Sequence, residues 1–146
     1  MPKNAYPPAA VVAIITLERK FLVIKRSATV RSPNQFCFPG GMIEVGETPQ
    51  VALVREMSEE LNIDVTPLEE VWSSHTPKGT RLHWWTATST QLARVFPNPS
   101  EVASFEWMEM EEINKLEDVL VSNRKFFDAI EAGKLDLERL LSLIHI

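Results

Sequence analysis

Three glutamates, Glu56, Glu59 and Glu60, stand at i, i+3 and i+4 in one stretch of the chain. In a helix that spacing holds them within an arc of roughly 100°, with Cβ atoms about 5–6 Å apart. Three neighbouring anions repel one another, so the face stabilises nothing by itself. A divalent cation removes the conflict, and clustered carboxylate oxygens are hard ligands suited to Mg²⁺ or Mn²⁺. Taken alone, the three glutamates read first as a solvated acidic helix face, which is the commoner use of such a pattern.

The element that must carry them is a helix over residues 48–61, with Thr48 as N-cap and Pro49 at the first helical position. Val54, Met57 and Leu61 fall opposite the carboxylates, Val51 and Leu53 towards the edges, and Ala52 amid the carboxylates, where its small side chain leaves open space. The expectation is one packed face and one open, anionic face. Around the helix lie Phe38-Pro39-Gly40-Gly41, Gly46-Glu47 and Arg55. Glycines at 40 and 41 let the backbone approach a ligand closely.

Together, residues 41–63 resemble the signature of the Nudix hydrolases: Gly41, then Glu47, then Arg55-Glu56, Glu59-Glu60 and Ile63 at the family's spacing. The one departure is Asn62, where the family has glycine. Asn is the next best tolerated residue in the left-handed conformation that caps a helix. The resemblance implies a single domain over residues 1–146, an α/β/α sandwich with a mixed β-sheet between helices. It implies Mg²⁺-dependent hydrolysis, with Mn²⁺ as a substitute, of a phosphoanhydride bond in a nucleoside diphosphate linked to another group. Nucleoside triphosphates, oxidised ones included, are the alternative substrates. A domain that senses nucleotides without hydrolysis is the alternative class, although such domains tend to lose motif glutamates.

The resemblance also assigns roles. Glu56 and Glu60 come first as metal ligands, then Glu59 as a ligand or an orienter of water, with the Gly41 carbonyl as a backbone ligand. Arg55 orients the catalytic carboxylates; Glu47 holds Arg55, contributes to the metal site, or is a purely structural ion pair. Many family members place a further functional acid near residue 101, which makes Glu101 the candidate extra ligand or base. Which glutamate is the general base stays open.

The net charge of −5 argues against a broad nucleic-acid footprint. It is compatible with a small phosphorylated substrate held through cations. The apolar run over residues 9–17 is too short to span a membrane. The lone Cys37 excludes an internal disulfide and suits a reducing cytoplasm; with no histidine nearby in sequence it reads as a packed thiol. The oligomeric state is open, a homodimer included. Residues 9–16 and 21–25 read as a hairpin, 26–35 as a loop, 42–44 as a short strand, and 68–75, 81–88 and 102–108 as strands. Residues 110–116, 122–131 and 136–143 read as helical. Arg26 and Arg31 are the candidate phosphate contacts. Trp84-Trp85, on opposite faces of a strand, offer one indole, Trp85, to a nucleobase. His75 and His83 could hydrogen-bond a substrate.

Overall fold

The structure, a computed structural model, describes residues 7–142. Strand β1 (Ala9–Ile14) sits at its centre. Ala10, Val12 and Ile14 enter one core, Val11 and Ala13 the other. A strand covered on both faces needs apolar residues throughout, which is why this run shows no alternation. The run does not continue as a single strand of a hairpin. Ile15 interrupts it, and β2 (Thr16–Leu17) belongs to a second sheet, paired with β3 (Lys20–Arg26). The turn between them, Glu18-Arg19, has positive φ at both residues, the backbone twist a tight hairpin requires.

The first sheet has the order β5-β1-β7-β6, with β5 at Gly40–Met42, β6 at Thr66–His75 and β7 at Arg81–Thr88. It is mixed: β1 and β7 run parallel, and the other pairs are antiparallel. In the second sheet β3 pairs antiparallel with β2, β4 (Phe36–Cys37) and β8 (Val102–Met108). The expected α/β/α sandwich is present, with its strands divided between two sheets. The strand expected at residues 42–44 lies two residues earlier and runs through both glycines.

Helix α1 (Pro49–Leu61) covers one side, and α3 (Val121–Glu131) covers the other; α2 (Met110–Asn114) and α4 (Leu137–Leu141) are short. The helix expected at 136–143 reaches one residue outside the described part of the chain. Helix α1 begins where the Thr48 hydroxyl accepts the Val51 N–H at 3.2 Å. It ends at Asn62, left-handed with φ 57° and ψ 36°. The Asn62 side chain adds a 2.6 Å bond to the Phe96 carbonyl. The aromatic core belongs to the α3 side, where Phe126 stacks on Trp84 with ring centroids 4.6 Å apart. Among the described residues no helix is long and apolar enough to cross a membrane.

Candidate active site

Helix α1 turns a different stripe to the sheet from the one its sequence suggests. Its buried residues are Ala52, Leu53, Glu56, Met57, Glu60 and Leu61, while Val51 and Val54 are exposed. Two of the three carboxylates therefore lie inside, and Ala52 fills a contact instead of leaving open space. The cause is the strand beneath. A side chain at Gly41 would fall on the Glu56 carboxylate, and one at Gly40 would meet the Val11 carbonyl. The missing side chain at Gly41 makes room for the Glu56 carboxylate, and the one at Gly40 for the close approach of β1.

Glu60 Oε1 accepts the Gly40 N–H at 3.0 Å. Glu56 Oε1 accepts from Arg55 Nη1 at 2.9 Å. Arg55 is the hub of the site: it forks onto both oxygens of Glu47 (2.8 and 2.9 Å) and reaches the Met42 carbonyl (2.9 Å) and Glu59 Oε2 (3.3 Å). A planar guanidinium suits such a fork. Glu47 also accepts the Glu44 N–H at 2.9 Å, so one arginine joins β5, the following turn and the helix. The Arg55 bonds hold the Glu47 carboxyl down at about 2. Glu59 is half exposed and sits at the margin.

Glu101 precedes β8. Its backbone is fixed by bonds from Ser27 N–H to its carbonyl (3.0 Å) and from its own N–H to the Asn98 carbonyl (3.0 Å). Its Oε2 is buried and has no hydrogen-bond partner. Burial, then the charges of Glu59 and Glu101, push Glu56 up to about 7 against the opposing pull of Arg55. Burial, then Glu56 and Glu101, push Glu60 up to about 8, while the Gly40 N–H and Arg26 pull it down. Glu56 and Glu60 thus pay for burial and for the negative charges beside them.

Arg26 is close enough to act on both Glu60 and the Cys37 thiol, and its Nε donates to the Arg31 carbonyl at 2.7 Å. Arg31 enters only through that backbone oxygen; its side chain is exposed on the loop. Trp85 is partly buried in the α1-side core, whereas Trp84 is fully buried on the other face, so the two indoles divide as strand geometry requires. Sequence reasoning missed Asn98. Its N–H donates to the Glu60 carbonyl at 2.8 Å and its side chain to the Glu59 carbonyl at 3.3 Å, tying the Glu101 loop to the end of α1. The available signal was Pro97-Asn98-Pro99, two prolines that restrict the backbone on either side of Asn98.

Among the described residues no three acids, histidines or cysteines already close into a metal cage; Glu56 is instead engaged by Arg55. The donor set nonetheless fits a hard cation. It offers an orphaned buried oxygen on Glu101, two carboxyls pushed up by burial and then by neighbouring acids, and a backbone turn with no side chain in the way.

A sandwich of this layout, with an arginine-braced acidic helix above a glycine turn, defines a family. The chain matches the NUDIX domain over residues 6–130 and belongs to that family. It is 42% identical over 73 residues to the ADP-ribose pyrophosphatase of Methanocaldococcus jannaschii, covering 47% of this chain and 41% of that protein. It is 46% identical over 44 residues to the 8-oxo-dGTP diphosphatase of Escherichia coli, covering 30% and 34% respectively. The chain therefore spans less than half the length of these curated relatives. The crystal structure of the MutT protein from Methanosarcina mazei Go1 has the same fold: TM-score 0.74 at 22% identity, over 90% of this chain and 99% of that one.

Proposed function

We propose that this chain, as a single domain, is a divalent-metal-dependent pyrophosphohydrolase acting on a nucleoside diphosphate linked to a second group. The observation that carries the reading is the convergence of Glu56, Glu60 and Glu101, with one buried oxygen left unpartnered. Like charges buried together persist where something positive joins them.

Mg²⁺, or Mn²⁺ in its place, held by Glu56, Glu60, Glu59 and the Gly41 carbonyl, would polarise the phosphorus and lower the pKa of a bound water. The chain's own groups do the rest. Arg55 fixes the Glu56 carboxyl in one orientation through a charge-assisted bond and opposes the burial that pushes it up. Glu47 holds Arg55 from the far side, a positioning role. Glu101 offers Oε2 to a cation or to the proton of the attacking water. Arg26, beside Glu60, supplies the positive charge that the acidic helix lacks and meets a substrate phosphate. Trp85 lends a flat face to the base.

The named substrates of the two curated relatives differ, one a diphosphate-linked sugar and one an oxidised triphosphate, and both contain a phosphoanhydride. The test is a panel of both kinds incubated with Mg²⁺, with mass-spectrometric identification of the bond broken. Release of a nucleoside monophosphate from diphosphate-linked substrates is the expected outcome. Cleavage confined to triphosphates would move the assignment to that class, and binding without turnover across the panel would overturn the hydrolase reading.

A further inference from the structure

One constellation lies outside the glutamate site. Glu70 on β6 meets His83 and Trp85 on β7: its Oε1 accepts the Trp85 indole N–H at 3.1 Å and pairs with His83 Nδ1 at 2.6 Å. One oxygen thus fixes both rings. The other, Oε2, makes no protein hydrogen bond among the described residues, and the Glu70 side chain is about a third exposed.

The sheet register ties this cluster to the glutamate site. Gly41 pairs with Val11, and Val11 pairs with His83, in one row across β5, β1 and β7; Ala13, Trp85 and Glu70 form a neighbouring row. Residues paired in a row share a face, and Val11, Ala13 and Trp85 all belong to the α1-side core. Strands lie about 4.8 Å apart, so His83 stands about 10 Å across the sheet from Gly41. That is the scale of a nucleotide from its diphosphate to its base.

We propose that Glu70, His83 and Trp85 form the nucleobase subsite of this enzyme and select bases that carry an exocyclic amino group. The inference rests on the pyrophosphohydrolase reading for its placement, and adds what the second half of the substrate must be. Trp85, held by its N–H, presents a fixed aromatic face for stacking, which any base accepts. Glu70 supplies the discrimination. An ionised carboxylate only accepts hydrogen bonds, so Oε2 pairs with the amino group of adenine, cytosine or guanine. It faces the carbonyl of hypoxanthine or uracil as acceptor against acceptor. A site built around one polar partner rejects the analogue that lacks it far better than a methylene-sized difference would allow. His83 is a positioning residue, holding the carboxylate from the side opposite the base.

The test compares matched pairs that differ only in amino against oxo: AMP with IMP, and CMP with UMP. Calorimetric affinities read the subsite without turnover, and kcat/KM for the corresponding diphosphate-linked substrates reads it during catalysis. Wild type should favour the amino member of each pair by about tenfold or more. Glu70→Gln keeps a carbonyl oxygen for Trp85 and His83 but presents an amide N–H₂ outward, so the preference should reverse. Trp85→Ala should weaken all four monophosphates alike while preserving their order. Equal affinity for both members in wild type would overturn the proposal. So would a Glu70→Gln protein of native thermal stability that keeps the wild-type preference, or loses affinity for both members equally. If the affinities follow the prediction while no panel substrate is hydrolysed, the subsite stands and the hydrolase reading falls.

Discussion

The two faces of the central sheet hold the same backbone in opposite ways. On the α3 side Phe21, Phe38, Trp84, Phe126 and Phe127 pack with ring centroids between 4.6 and 6.2 Å, in edge-on, tilted and stacked pairs. On the α1 side the core is aliphatic, and Glu56 and Glu60 intrude at one edge of it. The aromatic face gains from every buried atom. The aliphatic face accepts a standing electrostatic cost at the place where a cation and a phosphate would meet. Stability and chemistry are thus segregated by the sheet, and β1 touches both.

Substitutions should separate the two faces cleanly. Phe126→Ala removes a stacked, fully buried ring and should cost about 3–5 kcal/mol of unfolding free energy in urea titrations, with kcat per folded molecule unchanged. A large fall in kcat at preserved stability would break the contrast. Glu56→Gln and Glu60→Gln keep size and remove charge. Each should lower kcat about 10²-fold or more, near 2.7 kcal/mol of barrier, while the metal-free fold survives. Wild-type turnover in both with Mg²⁺ would remove the helix from the mechanism.

Arg26→Ala should raise KM with little change in kcat, a loss of about 1.5–3 kcal/mol for a charged hydrogen bond. Arg31→Ala should leave both parameters close to wild type, since only its backbone is engaged. Unchanged KM at both positions would return both arginines to the solvated surface, and an equal rise at both would bring the Arg31 side chain onto the phosphate as well.

A separate effect, on stability and not on turnover, is its dependence on pH. Glu56 and Glu60 titrate near 7 and 8 in the folded protein, above the ordinary carboxylate value of 4.5. A raised folded value means the folded state holds its protons longer, so the contribution is full below about pH 4.5 and is lost as pH rises through 7 and 8. Metal-free protein should therefore melt lower at pH 9 than at pH 6, by about 4 °C for each kcal/mol lost. Mg²⁺ should raise Tm more at pH 9, and Glu60→Gln should flatten the metal-free profile. A flat wild-type profile would show that the acids are not crowded.

Strands β7 and β8 and the start and end of α1 are legible because their signals are local: β-rich runs between turns, Thr48 and Pro49 at one end, Asn62 at the other. The left-handed Asn62 bears out the reading of the motif's one departure. The placement of α1 was not legible. A helical wheel gives the angles between residues but not which way the helix is rolled on its sheet, and here the glycine strand beneath decides it by admitting the Glu56 carboxylate. The break at Ile15 was hidden for a similar reason, because a run buried on both faces carries no mark where it leaves one sheet for another. Glu70 is invisible for a third. Its tie to His83 and Trp85 depends on register across a hairpin whose strands slip between Pro67 and Glu69 and again between Glu70 and Trp72.

The burial of Cys37 makes the protein its own clock. The thiol lies on β4, closed in by neighbours, and burial pushes it up to about 11, so at neutral pH almost none of it is thiolate, the form that reacts. Alkylation must then wait for the β3–β4 edge to open, and its rate counts those openings. Since β3 also carries Arg26 at its end, and pairs with the strand that follows Glu101, a labelling experiment times how often the floor of the candidate active site comes apart. Any ligand that knits the site together will slow the clock.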